Sequence, residues 1–111
     1  MDKPKFEYDT CINSNPLFFG SNSERYSQSY MFGIVSPVPI SKSEFFVFND
    51  EDGERISTGN VINVWHEITA SRKNPRKPIL EIAVEHESVE GYDRFDKFCR
   101  AVQSGKIKLT E

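Results

Sequence analysis

Two short stretches of this sequence concentrate charge. Ser71-Arg72-Lys73-Asn74-Pro75-Arg76-Lys77-Pro78 carries four cations in eight residues, and Asp50, Glu51, Asp52 and Glu54 surround Gly53 with carboxylates. Arg72, Lys73, Arg76 and Lys77 have the chemistry to contact phosphates. With Trp65, Phe45 and Phe48 as stacking platforms, they would hold single-stranded nucleic acid without reading its bases. The plainer reading is a solvated hairpin tip whose charges protect a sheet edge. The acidic cluster has the opposite use, presenting carboxylates to a basic protein surface where substrate phosphates would otherwise sit. Its plainer reading is a solvated turn. Trp65 is the best single anchor for such a partner, because buried tryptophans dominate many interfaces. With tips of opposite sign, pairing of one tip with another is a route to a homo-oligomer.

Catalytic patterns are absent. There is no GxSxG, HExxH, phosphate-binding loop or GxGxxG, and Gly53 and Gly59 sit in turn-like contexts rather than before a helix. His66 and His86 are the only histidines, both on the aliphatic face of an alternating run, where a satisfied core or edge histidine is expected rather than a metal ligand. Cys11 and Cys99 have no metal-type spacing, and Cys99 lies on an apolar helical stripe, the place of a small core hydrophobe. Carboxylate pairs such as Glu85 with Glu87 fall in exposed contexts that do not tune an acid or base. The expectation is a protein without catalysis, metal or cofactor.

At 111 residues the chain has the size of a single domain, residues 1–111, able to bury one modest core without staples. Hydrophobic residues make up only 37%, yet nine Phe, four Tyr and one Trp supply large area per residue, so aromatics must build that core. A net charge of −3 opposes bulk attraction to duplex DNA or an anionic membrane. No apolar run approaches the ~20 residues of a membrane span and the first residues are polar, so a cytoplasmic protein without membrane association is expected.

The elements that must position these residues follow from periodicity. Residues 61–86 read as a β-hairpin: Ile62, Val64, His66 and Ile68 share one face, Leu80, Ile82, Val84 and His86 share another, and the basic loop is its tip. Tyr30–Val35 is a strand stopped by Pro37 and Pro39. Glu44–Phe48, apolar on both faces, suits a central strand or one covered by the N-terminal segment. Asp52-Gly53 is a hairpin turn into a short return strand, Arg55–Ser57, and Thr58-Gly59-Asn60 has turn composition before the next strand. Residues 1–29 read as an irregular arm docked through its aromatics, with 22–29 its loop. Strands fill residues 30–87.

Tyr92, Phe95, Phe98, Cys99 and Val102 recur at helical spacing, which predicts a helix over 91–104 that Gly105 stops. Lys106–Leu109 is then a tail or a short final strand. The fold class is α+β: a twisted antiparallel sheet of about five strands with one C-terminal helix packed on one face. Size, acidic balance and the absence of catalytic patterns point to a small interaction protein that binds and occludes a larger protein, possessed of the character of an inhibitor or immunity protein, the occluded partner being of the nucleic-acid-enzyme type. The alternative is a single-stranded nucleic-acid-binding module using the 71–78 loop and the sheet aromatics.

Overall fold

The structure, a computed structural model, describes residues 5–17, 28–67 and 77–109. Five strands and one helix follow in the order β1 (Phe6–Pro16), β2 (Gln28–Ser36), β3 (Phe45–Asn49), β4 (Arg55–Trp65), β5 (Ile79–His86) and α1 (Val89–Gln103). The expected architecture is present: a five-stranded, mostly antiparallel curled sheet with the C-terminal helix packed against it. The strand order, β2-β1-β5-β4-β3, differs from a simple meander. β1 lies between β2 and β5, antiparallel to the first and parallel to the second.

Residues 6–16 are therefore a central strand, not an irregular arm. Its core-facing positions are Tyr8, Thr10, Ile12 and Ser14, all buried, so every second residue faces inward even where it is polar. Thr10 satisfies its hydroxyl by donating to the Phe32 carbonyl. The Tyr8 hydroxyl accepts from the Ile40 N–H at 2.9 Å, tying the link between β2 and β3 to the sheet. Gln28 and Ser29 begin β2 rather than ending a loop.

Arg55–Ser57, Thr58–Asn60 and the run from Val61 form one eleven-residue strand, not two strands and a turn. Gly59 lies inside it because only a hydrogen fits there: a Cβ would stand 2.9 Å from Ile82 Cγ2, 2.9 Å from Val84 Cγ2 and 3.0 Å from the Ala83 carbonyl. The pairing of β4 with β5 shifts between Val61 and Asn63, where Ile62 is the extra residue of a bulge. The bulge changes which residues face inward. Val61 and Val64 join the core with Ile82 and Leu80, Ile62 points outward, and His66, beyond the strand, is exposed. β3 is also corrected: it is an edge strand with Phe46 and Phe48 inward and Phe45 and Val47 exposed. The β4–β5 hairpin and the Leu80, Ile82, Val84, His86 face are as expected. Its tip falls at 68–76, outside the described residues.

Ser88 caps α1 by accepting from the Gly91 N–H at 3.1 Å. At the other end Gly105 takes φ 81°, and the Lys106 N–H donates back to Ala101 at 2.9 Å. Residues 104–109 are turn and coil, not a final strand. Tyr92, Phe95, Phe98 and Cys99 are buried against the sheet. Phe95 is the hub, with ring centroids 5.2 Å from Phe48, 5.2 Å from His86 and 6.0 Å from Tyr30. The Tyr30 hydroxyl donates to Asp96 at 2.6 Å, and burial together with that bond holds the phenol well above its ordinary pKa.

Candidate functional site

The helix covers one face of the sheet, and alternation leaves the other to solvent. On that outer face β1 presents Glu7, Asp9, Cys11 and Asn13, β2 presents Met31 and Val35, and β5 presents Ile79, Glu81, Ala83 and Glu85. From β4 come Asn60, Ile62 and Trp65, and from β3 Phe45 and Val47. Phe45 and Met31 are each 62% exposed and Ile62 43%, values that no packed core position shows. Large apolar groups thus stand in the open between carboxylates.

The middle of this face is held in place by polar bonds across three strands. Ser29 Oγ donates to Asn13 Oδ1 at 3.0 Å, and Asn13 Nδ2 donates to Glu81 Oε2 at 3.1 Å. The Cys11 thiol donates to the same Asn13 oxygen. Half-buried Glu81 is therefore fixed in orientation before any ligand arrives, which lowers the entropy lost when it pairs with a cation. Lys77 lies 3.4 Å from Glu7, so one cation of the basic run already has a partner within the chain. Arg72, Lys73 and Arg76 lie outside the described residues.

The residues singled out in the sequence do not form one cluster. Trp65 pairs with Ile79 and lies half-buried on the outer face. Asp50, Glu51, Asp52 and Glu54 form the β3–β4 turn at the opposite end of β4, roughly 30 Å away at the rise of an extended strand. Asp50 is a turn builder: its Oδ1 accepts from the N–H groups of Asp52 and Glu54, both at 2.9 Å, while Gly53 takes φ 83°. The turn's other acids are exposed. Glu51 and Asp52 line a depression of about 550 Å³ together with Arg94, Lys97 and Lys106 and the apolar Ile56, Phe98 and Ile107.

Of the three proposed stacking residues, Phe48 is buried in the core, Trp65 is half-buried on the outer face and Phe45 is open. Glu85 lies on the outer face, with Glu87 just beyond the strand. Asp9 and Glu81 escaped the sequence reading, while Phe45 was named there only as a stacking platform and Ile62 was placed on one face with Val64. The alternation of Glu81 and Glu85 with Leu80, Ile82 and Val84 was a usable signal for Glu81 on β5, whereas nothing local announces the bulge that exposes Ile62.

The two cysteines are free and on opposite faces. Cys99 is fully buried, and burial reinforced by Asp96 pushes its thiol up to about 12, the behaviour of an inert core group. His86 is buried against Tyr92 and Phe95, and desolvation lowers its pKa. Among the described residues neither His86 Nε2 nor Ser14 Oγ has a hydrogen-bond partner. Among the described residues no three His, Cys, Asp or Glu side chains are grouped to hold a metal ion, and no helix is long and apolar enough to cross a membrane.

No family model matches this sequence, and no match is found among curated proteins or solved structures. The reading of the site rests on its own geometry.

Proposed function

We propose that this protein is a non-catalytic binding module that engages a larger protein with a basic surface and occludes it through the outer face of its sheet. The observation that carries the reading is that face itself: exposed Phe45, Val47, Ile62 and Met31 interleaved with Asp9, Glu81 and Glu85, and Glu81 held by Asn13. Phe45, Val47 and Ile62 stand on the neighbouring strands β3 and β4 and Met31 on the opposite edge strand, and large apolar groups left open on one sheet face are characteristic of interaction surfaces. Carboxylates among them, of which Glu81 is held in place, select a partner carrying Lys or Arg and speed its encounter.

Roles divide by chemistry. Ile62, Phe45 and half-buried Trp65 provide apolar anchors, and Asp9, Glu81 and Glu85 provide steering and register. The acids of the β3–β4 turn add long-range attraction from the end of the sheet without touching the same contact zone. The same carboxylates repel phosphates, so the face disfavours the nucleic-acid alternative.

The test is affinity capture from lysate, with and without nuclease, using the wild-type chain beside Ile62→Ser/Phe45→Ser. Both positions are outside the core, so stability should change by no more than about 0.5 kcal/mol. The expected result is a nuclease-resistant protein partner lost with the double variant. Neutralising Asp9, Glu81 and Glu85 should then slow kon, and the apolar pair should raise koff. Capture that survives the double variant, or that nuclease abolishes, would place the activity elsewhere.

A further inference from the structure

The two edges of the sheet are guarded very differently. β3, at one edge, is five residues long, and its pairing with β4 shifts between Phe48 and Asn49 beside the acidic turn. Shortness, irregularity and neighbouring charge are the usual protections against edge-to-edge pairing. β2, at the other edge, has none of them. Its nine residues, QSYMFGIVS, contain no charged residue and no proline. Its register with β1 runs from Phe6↔Ser36 to Ser14↔Gln28 without a shift.

The open hydrogen-bonding groups of β2 can be assigned. The Asp9 N–H donates to the Pro78 carbonyl on the β5 side, so the odd residues of β1 point to β5 and the even ones to β2. Tyr30, Phe32 and Ile34, which pair with those even residues, direct their backbone groups to β1. Ser29, Met31, Gly33 and Val35 direct theirs away. Among the described residues one bond reaches that row, from Gln103 Nε2 to the Met31 carbonyl at 3.3 Å.

We infer that β2 is a self-pairing edge, and that two copies of this chain associate through antiparallel β2–β2 contact into one continuous ten-stranded sheet. The sequence of the strand is self-complementary about Phe32. With Phe32 opposite its own copy, Met31 faces the partner copy's Gly33 and Ser29 faces Val35, so the outward backbone groups meet as hydrogen-bonded pairs once the exposed Gln103 side chain releases the Met31 carbonyl. On the inner face buried Tyr30 opposes the partner copy's half-buried Ile34, and half-buried Phe32 gains cover from its twin. The outer face keeps its narrow residue, Gly33, opposite the long Met31. No charge is buried and no like charges meet anywhere along the seam, despite the net charge of −3 per chain. The contact is one strand wide, so the dimer is concentration-dependent, with a dissociation constant on the order of micromolar or weaker.

The pairing of position 31 with position 33 supplies the test. Gly33 tolerates a side chain, since a Cβ there meets only the Tyr8 carbonyl at 3.6 Å and its φ is not positive. Two variants, Met31→Lys/Gly33→Lys and Met31→Glu/Gly33→Glu, are compared with wild type by sedimentation velocity from about 1 µM to about 1 mM at low salt. Circular dichroism confirms that each is folded. The wild type should shift from monomer to dimer across the range. Each variant alone should associate about tenfold more weakly or worse, and an equimolar mixture should recover dimer, because every Lys then faces a Glu. Added salt should diminish that recovery. A wild type that remains monomeric throughout overturns the inference. So does a dimer untouched by either variant, or a mixture that behaves as its components do.

Discussion

Two glycines of the sheet should respond to the same substitution with opposite signs. Gly→Ala in a strand removes backbone freedom from the unfolded chain and on that account alone stabilises by about 0.5–1 kcal/mol. At Gly33 nothing opposes this gain, because the new methyl would find only the Tyr8 carbonyl at 3.6 Å, an ordinary contact. At Gly59 the methyl would meet two branched carbons at 2.9 Å and a backbone oxygen at 3.0 Å. Ile82 and Val84 are themselves 1% and 0% exposed and cannot swing aside, and the Ala83 carbonyl belongs to the sheet ladder. Overpacking of this kind costs about 1–3 kcal/mol. The net expectation is that Gly33→Ala gains up to about 1 kcal/mol and Gly59→Ala loses about 1–2 kcal/mol. Urea unfolding at low protein concentration, followed by tryptophan fluorescence, measures both through the midpoints at unchanged m. A neutral or stabilising Gly59→Ala would mean that β4 does not pass this close to β5, and the placement of β4 as one continuous strand would fall with it.

Three further outcomes follow from the core and the caps. His86 has a lowered folded-state pKa, so as pH falls below about 6.5 the unfolded chain takes up a proton first and stability drops, by at most about 1.4 kcal/mol per pH unit until the folded pKa is reached. His86→Phe should remove that part of the dependence in unfolding curves between pH 7 and pH 5, taken as about the range where histidine titrates; an identical slope would show that other groups carry it. Half-buried Cys11 should react with a maleimide in the native state, while Cys99 should be labelled only on unfolding, and mass spectrometry showing equal rates would refute the burial of the α1 stripe. Ser88→Ala should cost about 1 kcal/mol through loss of the bond to the Gly91 N–H, read as a lower thermal midpoint; no change would mean that the cap does not hold α1.

The parts of the fold legible in the sequence are those where burial and hydrophobicity coincide. In β5, Leu80, Ile82, Val84 and His86 are buried and alternate with Glu81 and Glu85, so period and type agree. In α1 the stripe of Tyr92, Phe95, Phe98 and Cys99 does the same. β1 hides because two of its inward positions, Thr10 and Ser14, are polar yet 0% and 1% exposed, which breaks the hydrophobic rhythm while leaving the geometric one intact. β4 misleads at two points. Gly59 has turn composition but is present for close packing, and the bulge at Ile62 reverses the inward set just where a strict period of two is assumed. The acidic run and Trp65 were individually visible. Their separation was not, because it depends on β4 being unbroken from Arg55 to Trp65.

The parallel seam between β1 and β5 sets the order in which this chain can be assembled. The β1–β2 hairpin and the β3–β4–β5 meander are each built from neighbours in sequence, yet they join only where Ile12 meets Ile82, seventy positions along the chain. During synthesis β1 leaves the ribosome well before β5 and waits, one side paired with β2 and the other bare, until β5 has followed. The closing helix, whose Phe95 touches Tyr30 from one half and Phe48 from the other, follows β5 and locks both together. A chain cut in the link between β2 and β3 would leave two pieces, each retaining its own pairings. Mixed together, they have everything needed to re-form the seam, which makes this domain a natural candidate for fragment complementation.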